Sequence, residues 1–458
     1  MKRITAAITA AAMIAAGFGL CANGGQTSGG QVSGGQAGSG SMEAGKPKEV
    51  SYAYNDYQEW AKLLEENQIS EEFAAGMEKF SFKTGSQILS GEVGNATYSP
   101  LSLYYALALV GCGAEGQTEK EILAFLEMED KRELALQCQK LYQGYYYQQQ
   151  MDDARNKQWG EDSLVIGGTK EDKIRIGNSL WISNELSVNR EYQTLAAQQF
   201  FAPTYVVDFH QGETGKRMGE WISQQTEGLL SPQLSPGKDT LATIINTLYF
   251  YGSWRDTFSE SLTKEDEFTG EDGVKRKCLF MNQTDSHGSF MKGDGYTTSF
   301  LSTNNGCRMF FLLPDKGRST AEFLASPELL EKGLTEPEGG WTYGEVYWKV
   351  PQFNFGTDMS LADTLKAMGL ERMFGPEGEF GGISSQPLKI TNVIQQTHIG
   401  IDENGVEGAA YTEFDVALGA LPNEGEKPYA EMILDRPFLF GIQDSDGVWL
   451  FLGICRNP

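Results

Sequence analysis

From Glu403 to Ile442 the chain reads ENGVEGAAYTEFDVALGALPNEGEKPYAEMILDRPFLFGI, a row of small residues leading into an apolar, Pro-anchored strand. No tight turn requires so many small side chains. Taken with the period of a strand, Val406, Gly408, Ala410 and Thr412 share one face, and Glu407, Ala409, Tyr411 and Glu413 share the other. A permanently exposed loop gains nothing from this alternation. It suits a segment that is loop in one state and buried strand in another. An ordinary Ala/Gly-rich surface loop explains the segment equally well when it is taken alone.

Four further stretches decide between these readings. NATYSPLSLYYALALVGCGAEGQTEKEI runs from Asn95 to Ile122, and IINTLYFYGSWRDTF from Ile244 to Phe258. KVPQFNFGTDMSLADTLKAMGLERMF runs from Lys349 to Phe374, and the chain ends FLGICRNP after DRPFLFGI. In this order the stretches resemble the serpin family over nearly everything beyond residue 50. Tyr251 stands where the family usually has Lys. The resemblance implies an α+β serpin fold: helices packed around large mixed β-sheets, with an exposed reactive-centre loop.

The resemblance also implies a function, that of a suicide inhibitor of proteases. The target cleaves the loop and forms an acyl-enzyme, and the freed arm enters the main sheet as a new strand. Roughly seventeen residues at about 3.3 Å each span roughly 55 Å, enough to carry an attached enzyme across a domain of this size. Residues Glu403, Gly405, Val406, Glu407, Gly408, Ala409, Ala410, Tyr411 and Thr412 match the hinge. Gly408 replaces the usual Ala, and Tyr411 replaces another small residue but falls on the outward face. Counting from Glu403 puts the reactive bond at Gly419–Ala420, with Leu418 as the neighbouring register. The surrounding Val416, Ala417, Leu418 and Leu421 offer no cation for an acidic pocket, so an elastase-like or subtilisin-like serine protease is expected, and a papain-like cysteine protease second. A non-inhibitory serpin acting as a binding or carrier module is the alternative. Ser99, Ser102, Asn246 and His398 match the family's "shutter", a hydrogen-bonded cluster beneath the main sheet that can hold it closed and release it.

Enzymatic function finds little support. His210, His287 and His398 are the three histidines, and none lies in a nucleophile or metal motif; no GxSxG elbow is present. GCGAEG (111–116) follows a helical run rather than a strand, so it is no dinucleotide site. Cys112, Cys138, Cys278, Cys307 and Cys455 lack CxxC spacing, which gives no zinc site and no disulfide framework, and mostly free thiols are expected. No cofactor and no metal are expected. With 37 basic against 62 acidic residues the formal charge is -25, which disfavours nucleic acid and anionic lipid as partners. The expected partner is the target protease, met by a monomer.

Lys2 and Arg3 precede an apolar run from Ile4 to Leu20, then Cys21 and Ala22. Residues 1–22 read as an export signal, standing outside the fold. Residues 23–50, rich in Gly, Ser and Gln, read as a flexible tether, and residues 51–458 as one serpin domain. Cys21 stands where a bacterial lipoprotein carries its lipid, although Leu20 before it is larger than processing prefers. Two destinations follow: anchorage to the outer face of the cell membrane through that lipid, or plain secretion.

Local patterns complete the reading. Tyr57 to Phe82 has helical spacing, Leu101 to Val110 reads as a buried helix, and Thr118 with Glu121 as the capping box of the next helix. Ile174–Ser183 and Arg308–Pro314 read as strands. Tyr142–Asp172, with its GYYYQQQ cluster, has no family counterpart and reads as a surface insertion.

Overall fold

The computed structural model describes residues 12–22, 41–159, 172–237, 239–335, 337, 339–407 and 428–458. Two large sheets and a set of helices share one main core. The first helices are α1 (Tyr57–Glu66), α2 (Glu71–Ser90), α3 (Pro100–Cys112), α4 (Gly116–Phe125), α5 (Lys131–Trp159), α6 (Arg190–Gln199) and α7 (Gly212–Gln225). The expected single helical run from Tyr57 is broken at Ser70, whose hydroxyl accepts the Phe73 N–H and starts α2. Helix α3 is buried along its whole length, as its unbroken apolar run requires.

The first sheet contains β1 (Ala12–Ala22), β3 (Lys173–Ser183), β4 (Thr204–Val207), β5 (Thr240–Ser253), β11 (Phe353–Ser360), β12 (Leu388–Ile401) and β13 (Gly405–Val406). Strands β11, β12, β5, β3 and β4 follow one another across it, with β1 and β13 both lying between β12 and β5. The second sheet contains β2 (Ala96–Tyr98), β6 (Lys264–Thr269), β7 (Lys275–Gly293), β8 (Tyr296–Ser302), β9 (Arg308–Pro314), β10 (Thr342–Pro351), β14 (Tyr429–Ile433), β15 (Phe438–Gln443) and β16 (Trp449–Cys455). Strands β3 and β9 coincide with the two stretches whose β-branched and aromatic content marks them as strands.

Two sequence expectations are corrected. The segment 12–22, expected to stand outside the fold, is an eleven-residue strand antiparallel to both β5 and β12. A central position offers two rows of backbone donors and acceptors, and the backbone of residues 12–22 pairs with both. The capping box at Thr118 is also replaced. Helix α4 begins at Gly116, and its open amides at Gln117 and Thr118 are met by the Glu379 carboxylate at 2.8 and 3.2 Å. Those two backbone bonds hold the Glu379 carboxyl below its ordinary range. The Tyr142–Asp172 segment starts as the second half of α5, where Tyr145 donates to Asp444 at 2.6 Å and Tyr142 stacks on Phe201. Cys112, Cys138, Cys278, Cys307 and Cys455 are free thiols, and burial pushes the Cys112 thiol up to about 12.

Candidate functional site

Between β5 and β12 lies a slot one strand wide, entered from one end by the hinge. Asp402 makes the turn into it, its carboxylate accepting the Asn404 and Gly405 N–H groups at 2.8 and 3.2 Å. Burial raises the Asp402 pKa while those amides pull it back. Glu403 is clamped by Thr263 at 2.6 Å and Gln352 at 2.7 Å, and its carbonyl accepts the Phe258 N–H. Trp254 donates its indole N–H to the Asp402 carbonyl at 2.9 Å. Gly405 then pairs with Ser253, and Val406 pairs with Gly252 on one side and Ile401 on the other. A Cβ at Gly405 would sit 2.5 Å from the Gly252 carbonyl oxygen, so this entry tolerates only glycine. Val406 is fully buried.

Glu407 ends the entry. Its φ of 61° is left-handed, unusual for a side-chain-bearing residue, and it turns the chain off the strand line. Its N–H still reaches the Gly400 carbonyl at 3.2 Å, and its buried carboxylate accepts the Tyr249 hydroxyl at 3.3 Å. Hinge residues Gly408, Ala409, Ala410, Tyr411 and Thr412, and the reactive-bond residues Leu418, Gly419 and Ala420, lie outside the described residues.

Strand β1 takes up the line that β13 leaves. Val406 stands opposite Gly252 and Ala12 opposite Phe250, so β1 runs in the same direction after a gap of one position. It then pairs down to Cys21, opposite Thr240 on β5 and Lys389 on β12. The slot thus accepts an antiparallel strand with ladders on both sides.

Beneath the slot, on the core face, the first turn of α3 bridges the two flanking strands. Ser99 caps α3 by accepting the Ser102 N–H at 3.2 Å, and Pro100 follows at the first helical position. The Ser102 hydroxyl donates to Asn246 of β5, whose amide donates to Asn178 of β3 at 2.7 Å, and Asn178 donates to the Phe200 carbonyl at 2.8 Å. On the other side Gln395 of β12 accepts the Ser99 N–H at 2.9 Å and donates to the Ser99 carbonyl at 3.0 Å. Asn246 and Gln395 both stand opposite Ala16 of β1, so the bridge crosses under the middle of the slot.

His398 is therefore not part of the cluster that holds Ser99, Ser102 and Asn246, and Gln395 occupies the place in it expected for His398. The reason is parity. Val393, Gln395, Thr397 and Ile399 alternate toward the core, which leaves His398 on the other face beside Gly356 of β11. The imidazole is half-buried, and desolvation alone lowers its pKa. The alternation in VIQQTHIGI was the signal that could have found Gln395. Asn178 carried no signal beyond being a polar residue within a buried strand.

Above the slot, on the α7 face, an apolar cavity of about 370 Å³ opens between Met218 and Ile222 of α7, the 234–239 connection, and the strands β5 and β12. Among the described residues no group of three or more His, Cys, Asp and Glu is placed to hold a metal, and no helix is long and apolar enough to cross a membrane.

Comparison with known proteins gives this geometry a family. The family model described as Serpin (serine protease inhibitor) matches residues 75–458. Serpin-Z2B of Triticum aestivum is 30% identical over 405 residues, covering 83% of this chain and 95% of its own length. A serine protease inhibitor of Mus musculus is 28% identical over 374 residues, covering 80% of this chain and 83% of its own. Among solved structures, the thermophilic serpin tengpin in its native state superposes with a TM-score of 0.68 at 20% identity, covering 85% of this chain and 95% of its own, a likeness of fold.

Proposed function

Since the chain belongs to the serpin family, we propose that it is a suicide-type inhibitor of serine proteases that works by cleavage of its loop and insertion of the freed arm between β5 and β12. One observation carries this reading: the slot already holds the start of the loop at Gly405–Val406, and along the rest of its length a second segment of the chain completes both ladders. A sheet with such a slot can gain a full strand of backbone hydrogen bonds and inward side chains when a longer arm becomes available. The form with its loop outside is then held above a more stable state by a kinetic barrier. The targets are elastase-like or subtilisin-like enzymes, because the residues around Gly419 and Ala420 are small and apolar. A papain-like cysteine protease comes second.

We further propose that residues 1–22 serve export and that the protein acts outside the cell, secreted or held by a lipid on Cys21. Processing ahead of Cys21 would remove most of β1 and leave the slot to the loop. The protein itself performs no turnover.

The test is incubation of the protein, as recovered from its host, with a panel of serine proteases, followed by denaturing electrophoresis and a melting curve. A detergent-resistant band at the summed mass, together with a rise in heat resistance once the loop is nicked, is the expected result. Cleaved inhibitor alone from every active protease, with unchanged melting, overturns the reading in favour of a carrier.

A further inference from the structure

Two segments of this chain compete for one place. Val406 of β13 stands opposite Gly252 on β5 and Ile401 on β12, and a strand continuing from it down both ladders would next meet Tyr251 and Phe250 of β5. The chain instead leaves the line at Glu407, through its φ of 61°. Ala12 of β1 stands opposite Phe250, and from Met13 to Cys21 the backbone of β1 pairs with β5 and β12 at once, in the same direction as β13. Neighbouring strands of a sheet lie about 4.8 Å apart, so the space between β5 and β12 takes one strand and no second.

The chain just after β1 ties it to this place. Met42 exchanges backbone bonds with Thr204 on the outer edge of β4 at 3.1 and 2.7 Å, and the Gly45 N–H donates to the Ala197 carbonyl at 2.8 Å. Thr204 is level with Ile244 of β5 through Leu180 of β3, whereas Cys21 is level with Thr240. The two points are therefore four strand spacings apart across the sheet and four residues apart along it, roughly 25 Å. Residues 23–40 can extend to about 60 Å at most, so the connection closes with length to spare. A segment tied this close to its slot meets it at an effective concentration on the order of millimolar. The sequence AMIAAGFGLCA contains no proline and no charged residue that would bar it from the middle of a sheet.

We propose that residues 12–22 are an internal plug: a chain that keeps them has its slot filled, and is cut by proteases as a substrate instead of trapping them. The proposal rests on the insertion reading given above. With no place for the freed arm, water hydrolyses the acyl-enzyme, the protease leaves active, and the cleaved inhibitor is spent. Cleavage of the chain ahead of Cys21 takes away Ala12–Leu20 and arms the molecule. Inhibition is thereby confined to protein that has lost its N-terminal segment.

The experiment uses the full 458-residue chain, made in a translation mixture without membranes so that residues 1–22 are kept, as the parent, Gly17→Pro and Phe18→Pro. Adjacent residues of a central strand donate to opposite neighbours and proline has no N–H, so each variant breaks a different ladder of β1. The processed protein recovered from its host is the reference. Each is incubated with subtilisin and with elastase, complex is read against cleaved inhibitor on denaturing gels, and melting is followed before and after the loop is nicked. The unprocessed parent is expected to give about tenfold less complex than either variant or the processed protein, which is about 1.4 kcal/mol and within the range for one buried backbone bond left unmade. It is also expected to melt highest of the four before nicking and to gain no heat resistance from it. If the processed protein makes complex and the unprocessed parent makes as much, the proposal is overturned, whether or not the variants fold. It is overturned too if both variants fold and leave the yield at that of the unprocessed parent. If the processed protein itself neither makes complex nor gains heat resistance on nicking, the insertion reading fails and the plug falls with it.

Discussion

The two faces of the slot are built from opposite materials. On the core face the strands are tied to α3 by a continuous polar chain through Asn178, Asn246, Ser102, Ser99 and Gln395. On the α7 face the same strands present Ile245 and Ile394 to a cavity of about 370 Å³. The core face holds the flanking strands in place through directional bonds that can be broken and re-formed. The α7 face, where Gln396 of β12 donates to Asp358 of β11 at 2.9 Å and Arg175 of β3 donates to the Gln225 carbonyl at the end of α7, has no such chain across β5 and β12 among the described residues and leaves a cavity instead. Under the proposed insertion, gating and accommodation would fall on opposite faces of one sheet.

The comparison can be broken most sharply at its entrance. Val406→Arg places a cation where the native side chain is fully buried between Gly252 and Ile401, at a cost of several kcal/mol, roughly the range for an unpaired buried charge. Loop cleavage is expected to persist while the covalent complex is lost by about a hundredfold or more, read as complex against cleaved inhibitor on denaturing gels. A complex yield equal to the parent's would mean that entry at β13 does not precede insertion.

A smaller effect tests the polar face. Gln395→Ala leaves the buried Ser99 N–H without its acceptor and leaves the Ser99 carbonyl with the Leu103 N–H alone, and a loss of about 1–3 kcal/mol in denaturant-unfolding stability is expected. Gln395→Glu should cost at least as much, because one of its two bonds is a donated one. A loss under about 0.5 kcal/mol would show that the bridge carries no weight.

The smallest effect belongs to the histidine on the opposite face. Burial lowers the His398 pKa in the folded state, so the neutral form is the one the fold prefers. Its contribution is in place above the unfolded value of about 6.5 and is lost as pH falls through that value toward the lowered one. His398→Gln is expected to flatten this loss and to change stability at pH 8 by less than about 0.5 kcal/mol. A pH profile unchanged by the substitution would remove His398 from any account of acid sensitivity.

Much of the architecture could be read before the structure. Val406, Gly408, Ala410 and Thr412 announced an alternation, and the part of it that is described, at Gly405–Val406, is in the sheet. Strands β3 and β9 and helix α3 were legible because their patterns are unambiguous over their whole length. Residues 12–22 were not, since an Ala/Gly-rich apolar run satisfies a targeting signal and a sheet strand alike. The cap of α4 was hidden for a different reason: its carboxylate comes from Glu379, far along the chain, and no local spacing reports such a contact. The placement of His398 followed the family resemblance by residue type, whereas the parity of its strand pointed three positions upstream.

That three-position difference changes what kind of latch the proposed insertion would have to open. An imidazole beneath the sheet would switch its bonding as the surroundings turn from neutral to mildly acidic. The amide of Gln395 has no proton to gain or lose over that interval, and with Ser99, Ser102, Asn246 and Asn178 it forms a bolt made wholly of groups that do not titrate there. Acidity cannot draw this bolt.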